Sequence, residues 1–179
     1  MPEPERPILS YLTIARDMGE DLQPGLEAVK DNAEFAAANG YGALEVATFP
    51  KTLGGTERDF YGETLKPSWV IQNPDLARNG VRHIVDQTGV EIAALCFCAN
   101  VLGDRYDSAH LDETIEAAKI LGVPSVVTFV GNVNAEIEAI ETVRGPLSGD
   151  DRKAYFLDRV AEDFGPRVKY AGENGIEIC

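Results

Sequence analysis

Four times along the chain an apolar helical period closes on a glycine and hands over to a short apolar run, at Gly40, Gly89, Gly122 and Gly175. A chain that repeats helix, glycine and strand has few folds open to it, because successive strands in such a series lie parallel and their crossovers turn right-handed. The third repeat is the clearest. Leu111, Ile115, Ala118 and Leu121 share one helical face, with Asp107 and Ser108 placed to cap its start and Gly122 to end it in the left-handed conformation. Val126, Val127, Phe129 and Val130 then read as a buried strand, bracketed by Pro124 before it and by Gly131 and Asn132 after it.

The same reasoning places a first strand at residues 8–14, after a Pro-rich acidic tail over 1–7 that is expected to be disordered, and a helix at about 25–38. A second strand follows at 43–48. Residues 49–73 form a long loop with room for one short helix, and a helix at 74–88 is capped by Asn73 and turns Leu76, Val81, Ile84 and Val85 inward. A third strand at 90–98 is almost continuously apolar, as in a parallel strand covered on both sides. Residues 133–148 show no sustained period, 150–172 read as a helix kinked at Pro166, and a fifth strand begins at Ile176. The expected sheet has five parallel strands in sequential order, without an antiparallel neighbour among the central four. The 49–73 loop is expected over the carboxyl ends of the first three strands.

Sixteen basic residues stand against 30 acidic ones, and the net charge of -14 repels phosphate polyanions, which argues against a nucleic-acid partner. The N-terminus has no basic flank followed by an apolar run and nothing reaches membrane-spanning length, so no membrane partner is expected and the cytoplasm is the expected compartment. Cys96 and Cys98 share a strand face but cannot easily bridge, and a lone C-x-C lacks the second ligand pair of structural zinc, so they read as reduced thiols. Two architectures fit the order of elements. An open doubly wound sheet calls for a phosphate-binding glycine turn after the first strand, where residues 15–19 read Ala-Arg-Asp-Met-Gly. A (β/α)8 barrel needs about 200 residues or more, so on that reading residues 8–179 are the N-terminal half of one barrel domain, strands 1 to 5 of a truncated chain. Its open edges would leave Leu12, Val46, Leu95 and Phe129 short of partners and favour low solubility or a homo-oligomer.

Several stretches carry a resemblance. They are residues 36–46 (Ala-Ala-Ala-Asn-Gly-Tyr-Gly-Ala-Leu-Glu-Val), 89–95 leading to Asn100, Val101 and Leu102, 117–124 (Ala-Ala-Lys-Ile-Leu-Gly-Val-Pro) leading to Thr128 and Gly131, and 170–175 (Tyr-Ala-Gly-Glu-Asn-Gly). Together they resemble the sugar phosphate isomerase/epimerase family, whose members form the xylose-isomerase-like TIM barrel. The chain departs from that pattern after the third strand, where relatives often read Asn-Pro-Leu and Val101 stands here. The resemblance implies a divalent metal (Mn, Mg, Co or Zn), a sugar or sugar-phosphate substrate, and proton transfer next to a carbonyl that the metal polarises. Its metal ligands and acid/base pair are expected beyond Cys179, with none on this chain. A polyol dehydratase or lyase uses the same barrel, and an apurinic-site endonuclease-like phosphodiesterase shares the superfamily.

Four residues are candidates for contact with substrate. Glu45 is a carboxylate inside an apolar strand, costly to bury unless paired, at a position that can face a barrel site or hold a structural ion pair. Asn100 ends the third strand, and Thr128 and Asn132, with Gly131, end the fourth on the face where barrel sites form. His83 and His110 fall within helices and read as surface or interface residues, while Glu91 and Glu177 read as solvated. Trp69 is expected to pack against Phe60, Tyr61 and Val70.

Overall fold

The structure, a computed structural model, describes residues 10–13, 23–58 and 62–179. The expected tail at 1–7, both ends of the first strand and the proposed packing of Trp69 on Phe60 and Tyr61 lie outside them. Five strands form the main sheet: β1 (Ser10–Leu12), β2 (Ala43–Phe49), β6 (Glu91–Phe97), β7 (Ser125–Thr128) and β8 (Glu177–Ile178). Each pairs in parallel with the next along the chain, in the order β1-β2-β6-β7-β8. The crossovers are α1 (Gln23–Ala38), α3 (Pro74–Thr88), α4 (Arg105–Leu121) and α6 (Gly149–Glu173). Gly40, Gly89, Gly122 and Gly175 all have positive φ, so each handover has the expected backbone.

The alternation of each strand sorts its side chains into two layers. Val46 pairs with Leu95 and Leu95 with Val126, and Phe97, two residues on, packs against His110 of α4 with ring centroids 4.5 Å apart. This is the helix-covered face, completed by Leu44, and its members are almost wholly buried. Val46 and Leu95 therefore keep their partners, contrary to expectation, because the crossover helices cover them whether or not a barrel closes. Phe129 does stand open, at 63% exposure.

The region after β2 is more ordered than a loop. Gly54 and Gly55, both at positive φ, turn a tight hairpin between β3 (Thr52–Leu53) and β4 (Thr56–Glu57), as two-residue turns of this kind require. β5 (Gly62–Glu63) then joins the sheet antiparallel to the end of β2, pairing Glu63 with Thr48 and Gly62 with Phe49. The purely parallel expectation is thus corrected at one strand end, where the chain doubles back beside the strand it has just left. The short helix is α2 (Pro67–Gln72), which packs on α4.

Three local expectations also change. α4 is capped by Asp104, whose side chain accepts from the amides of Tyr106 and Asp107, because Asp107 turns inward to other partners and Ser108 lies inside the helix. Leu76 is 53% exposed, since Ala77, Val81 and Ile84 hold the buried stripe of α3, and Asn73 donates back to the Trp69 carbonyl rather than capping an amide. Residues 133–148 hold a helix, α5 (Asn134–Arg144), with Ile137 as its one buried residue. Charged contacts tie it to α6: Arg152 to Glu141, and Tyr155 and Arg159 to Glu136. α6 itself runs through Pro166 as a single element.

Candidate functional site

The face of the sheet turned away from the helices carries Glu45, Ala47, Ala94, Cys96 and Val127, by strand alternation and register. Cys98, just past the end of β6, lies against Cys96 with 3.6 Å between the sulfurs. Cys179 continues the ladder of β8, its amide donating to the Val126 carbonyl and its carbonyl accepting from the Thr128 amide, so it falls on this same face beyond Val127. All three cysteines and Glu45 thus share one surface. The two thiols share one hydrogen bond, which lowers Cys98 and, with burial, pushes Cys96 up; the Glu45 charge raises both.

The described parts of the segment from β3 to α2, residues 52–58 and 62–72, lie over the carboxyl ends of the strands. At β1 the hydroxyls of Thr13 and Thr64 meet at 2.7 Å, with Thr13 Oγ1 also accepting from the Ala47 amide and the Thr64 amide donating to the Ala47 carbonyl. At β2 and β6 a cavity of about 200 Å³ opens between Phe49, Pro50, Leu53, Arg58, Phe97, Cys98 and Ala99. The placement expected for this segment holds. Its anchor is Arg58, which forks onto both oxygens of Asp107 at the start of α4, and Asp107 also accepts from the Asn100 amide at 2.9 Å. Asp107 stands out in the sequence only as a helix cap, and nothing there pairs it with Arg58, 49 residues earlier; the Gly54-Gly55 turn is the one local signal that would have placed the hairpin.

Asn100 and Asn132 are brought together. Asn100 Oδ1 accepts from the Asn132 amide at 2.6 Å, and the Leu102 amide donates to the Val130 carbonyl, so the loops after β6 and β7 are latched to each other. Asn132 Oδ1 accepts from the Asn134 amide at the start of α5. Thr128 pairs with Phe97 on the helix side of the sheet and donates its hydroxyl to the Phe129 carbonyl, which leaves Val127 as its neighbour on the inner face. Glu45 is half-buried on that inner face, opposite Ala94 of β6.

Two titratable groups missed or misplaced by the sequence lie away from this face. Glu63, opposite Thr48, has its carboxyl pushed up by burial, partly offset by Lys66. His110 is buried, not on the surface as expected: its Nε2 donates to the Thr48 carbonyl at 2.7 Å, so the neutral ring carries its proton there. Burial lowers the His110 pKa, outweighing the carbonyl bond and the nearby Glu113 and Asp107. The folded chain therefore binds this proton less readily than the unfolded chain, whose imidazole titrates near 6.5, so His110 contributes its full stabilisation above about pH 6.5 and loses it as pH falls toward the depressed value. Urea unfolding at stepped pH should show this loss in the parent and not in His110→Gln; identical pH profiles for the two would refute it.

Among the described residues no group of three or more His, Cys, Asp or Glu is placed to hold a metal ion, and one carboxylate beside two thiols does not fit a hard divalent cation that takes six or more oxygens. No helix among them is long and apolar enough to cross a membrane.

Neither a protein-family model nor a curated protein matches the sequence. Solved structures match its fold. A xylose isomerase-like TIM barrel protein from Mycobacterium smegmatis, in complex with magnesium, aligns with 96% of this chain and 53% of its own at a TM-score of 0.51 and 15% identity. A sugar phosphate isomerase/epimerase from Parabacteroides distasonis aligns with 97% and 51% at 0.50 and 15%, and mannonate dehydratase from Streptococcus suis serotype 2 with 96% and 50% at 0.50 and 12%. The chain spans about half the length of each. At these identities the likeness is one of fold: a partial xylose-isomerase-like TIM barrel.

Proposed function

We propose that this half-barrel forms the first five strands of a sugar or sugar-phosphate isomerase or epimerase, and supplies one wall of its substrate site. The observation that supports the reading is the placement of residues 52–58 and 62–72 over the carboxyl ends of β1, β2 and β6, on a sheet whose inner face bears Glu45, since barrel chemistry takes place at those ends. In this role Glu45 accepts a hydrogen bond from a sugar hydroxyl, Asn100 and Asn132 hold the rim, and Thr128 stiffens the end of β7. The described residues offer no donor set for a divalent metal, so no step through one is assigned to them. Proton transfer next to the carbonyl falls to groups that a full barrel brings from its remaining strands.

Saturation-transfer NMR of the purified chain with ketoses, aldoses and their phosphates tests this. The expected result is weak binding that Glu45→Ala abolishes, with no isomer or epimer interconversion when manganese or cobalt is added. Turnover with stoichiometric metal binding by these 179 residues, or no sugar contact at Glu45, would overturn it. Loss of water from a sugar acid is the second reading, supported by the match to a dehydratase and distinguished by a new keto product. Cleavage at abasic DNA is disfavoured by the charge of -14, because duplex affinity rests on Lys and Arg neutralising phosphate.

A further inference from the structure

We infer that Cys96 and Cys98 form a two-sulfur site for a thiophilic d10 cation of the copper(I) class. Strand alternation aims Cys96 at the inner face, and the sulfur of Cys98, just past the end of β6, already meets it at 3.6 Å, Cys96 buried and Cys98 half-buried. Residues two apart on a strand are separated by roughly 6.6 Å at Cα, the top of the range a disulfide spans. A bond between the sulfurs would strain the strand, but an ion between them would not. Two thiolates in line on one ion sit about 4.6 Å apart, taking roughly 2.3 Å per metal–sulfur bond. The pair reaches this by opening about 1 Å through side-chain rotation.

Ligand number selects the ion. Zinc in a structural site wants four nitrogen or sulfur ligands, and the described residues bring no third His, Cys, Asp or Glu into position for a shared ion. Copper(I) is satisfied by two soft thiolates. Glu45 lies close enough for its charge to act on both thiols, and its hard oxygens leave the two sulfurs as the ligands. On binding, two S–H bonds give way to two S–Cu bonds, both protons leave to solvent, and copper stays monovalent. Cys179, two strands away from Cys96 across Val127, takes no part.

The test is anaerobic titration of the reduced chain with copper(I) held by bicinchoninate, whose colour is lost when the protein takes the metal, followed by X-ray absorption at the copper edge. One ion per chain in a two-sulfur shell is expected. Cys98→Ser, at the half-exposed position where folding is least at risk, should weaken binding by more than the roughly 10- to 100-fold that loss of a supporting neighbour costs. Cys96→Ser should do the same, with circular dichroism confirming its fold, and Cys179→Ser should bind as the parent does. The inference is overturned if the chain leaves copper with the competitor, if Cys98→Ser binds like the parent, if Cys179→Ser loses the ion, or if zinc binds as tightly.

Discussion

Replacing Asp107 with alanine is expected to cost about 3 kcal/mol of folding stability, the low end of what breaking a buried ion pair costs. The Asp107 side chain is 0% exposed and serves two elements at once, taking the forked guanidinium of Arg58 and the amide of Asn100. Without it Arg58, three-quarters buried, keeps a charge with no counterion among the described residues, where its Nε already lacks a hydrogen-bond partner. Asp107→Asn, which retains an acceptor for the Asn100 amide, should lose less. The double variant Arg58→Met with Asp107→Leu should recover much of the loss, because apolar packing removes the stranded charge. Urea unfolding followed by circular dichroism measures all three. A loss below about 1 kcal/mol in Asp107→Ala, the value of an exposed pair, would show that the contact does not hold the hairpin to α4.

A methyl group at residue 131 should be nearly as damaging. Gly131 has φ +92°, where a side chain costs roughly 1–2 kcal/mol. A Cβ built there would lie 2.2 Å from Asn100 Oδ1 and 2.9 Å from that residue's backbone carbon and Cα. Strain and overpacking together put the expected loss for Gly131→Ala at about 3 kcal/mol. The loops after β6 and β7 would part first, so the amides of Leu102 and Asn132 should exchange with solvent much faster than those of β6. Shortening the neighbour does not rescue it: Gly131→Ala with Asn100→Ala still meets the backbone. Parental stability and exchange in Gly131→Ala would mean that the two loops are not latched.

The strand order could be read from the sequence because each signal was local: an apolar run, a glycine, a helical stripe. What the sequence hid was set by distant partners. Asp107 read as the cap, and only Arg58, 49 residues earlier, decides that it turns inward and leaves the cap to Asp104. His110 looked like a surface residue until the Thr48 carbonyl, 62 residues away, gave it a buried partner. α5 escaped notice because its hold on the fold is ionic, through Glu136 and Glu141, with a single buried isoleucine to set a period. For the candidate site, Glu45 was singled out by its cost inside an apolar strand, and that strand's alternation puts it on the inner face. The meeting of Asn100 with Asn132 depends on register between loops that no pattern within either one encodes.

The sequential parallel order has a consequence for how the chain comes into being. Since each of the five parallel strands pairs with the next of them along the chain, and β5 folds back onto β2, which precedes it, no early segment must wait for a late one, and each new βα unit finds its docking edge already made. Such a sheet can grow in the direction of synthesis as the polypeptide leaves the ribosome, starting from the extensive β2–β6 pairing. Each step closes a loop of similar size, and because closure entropy rises only slowly with length, no single step dominates the folding time. A nascent chain released after α4 should therefore already protect the amides of β2 and β6 from exchange, before β7 and β8 have been made.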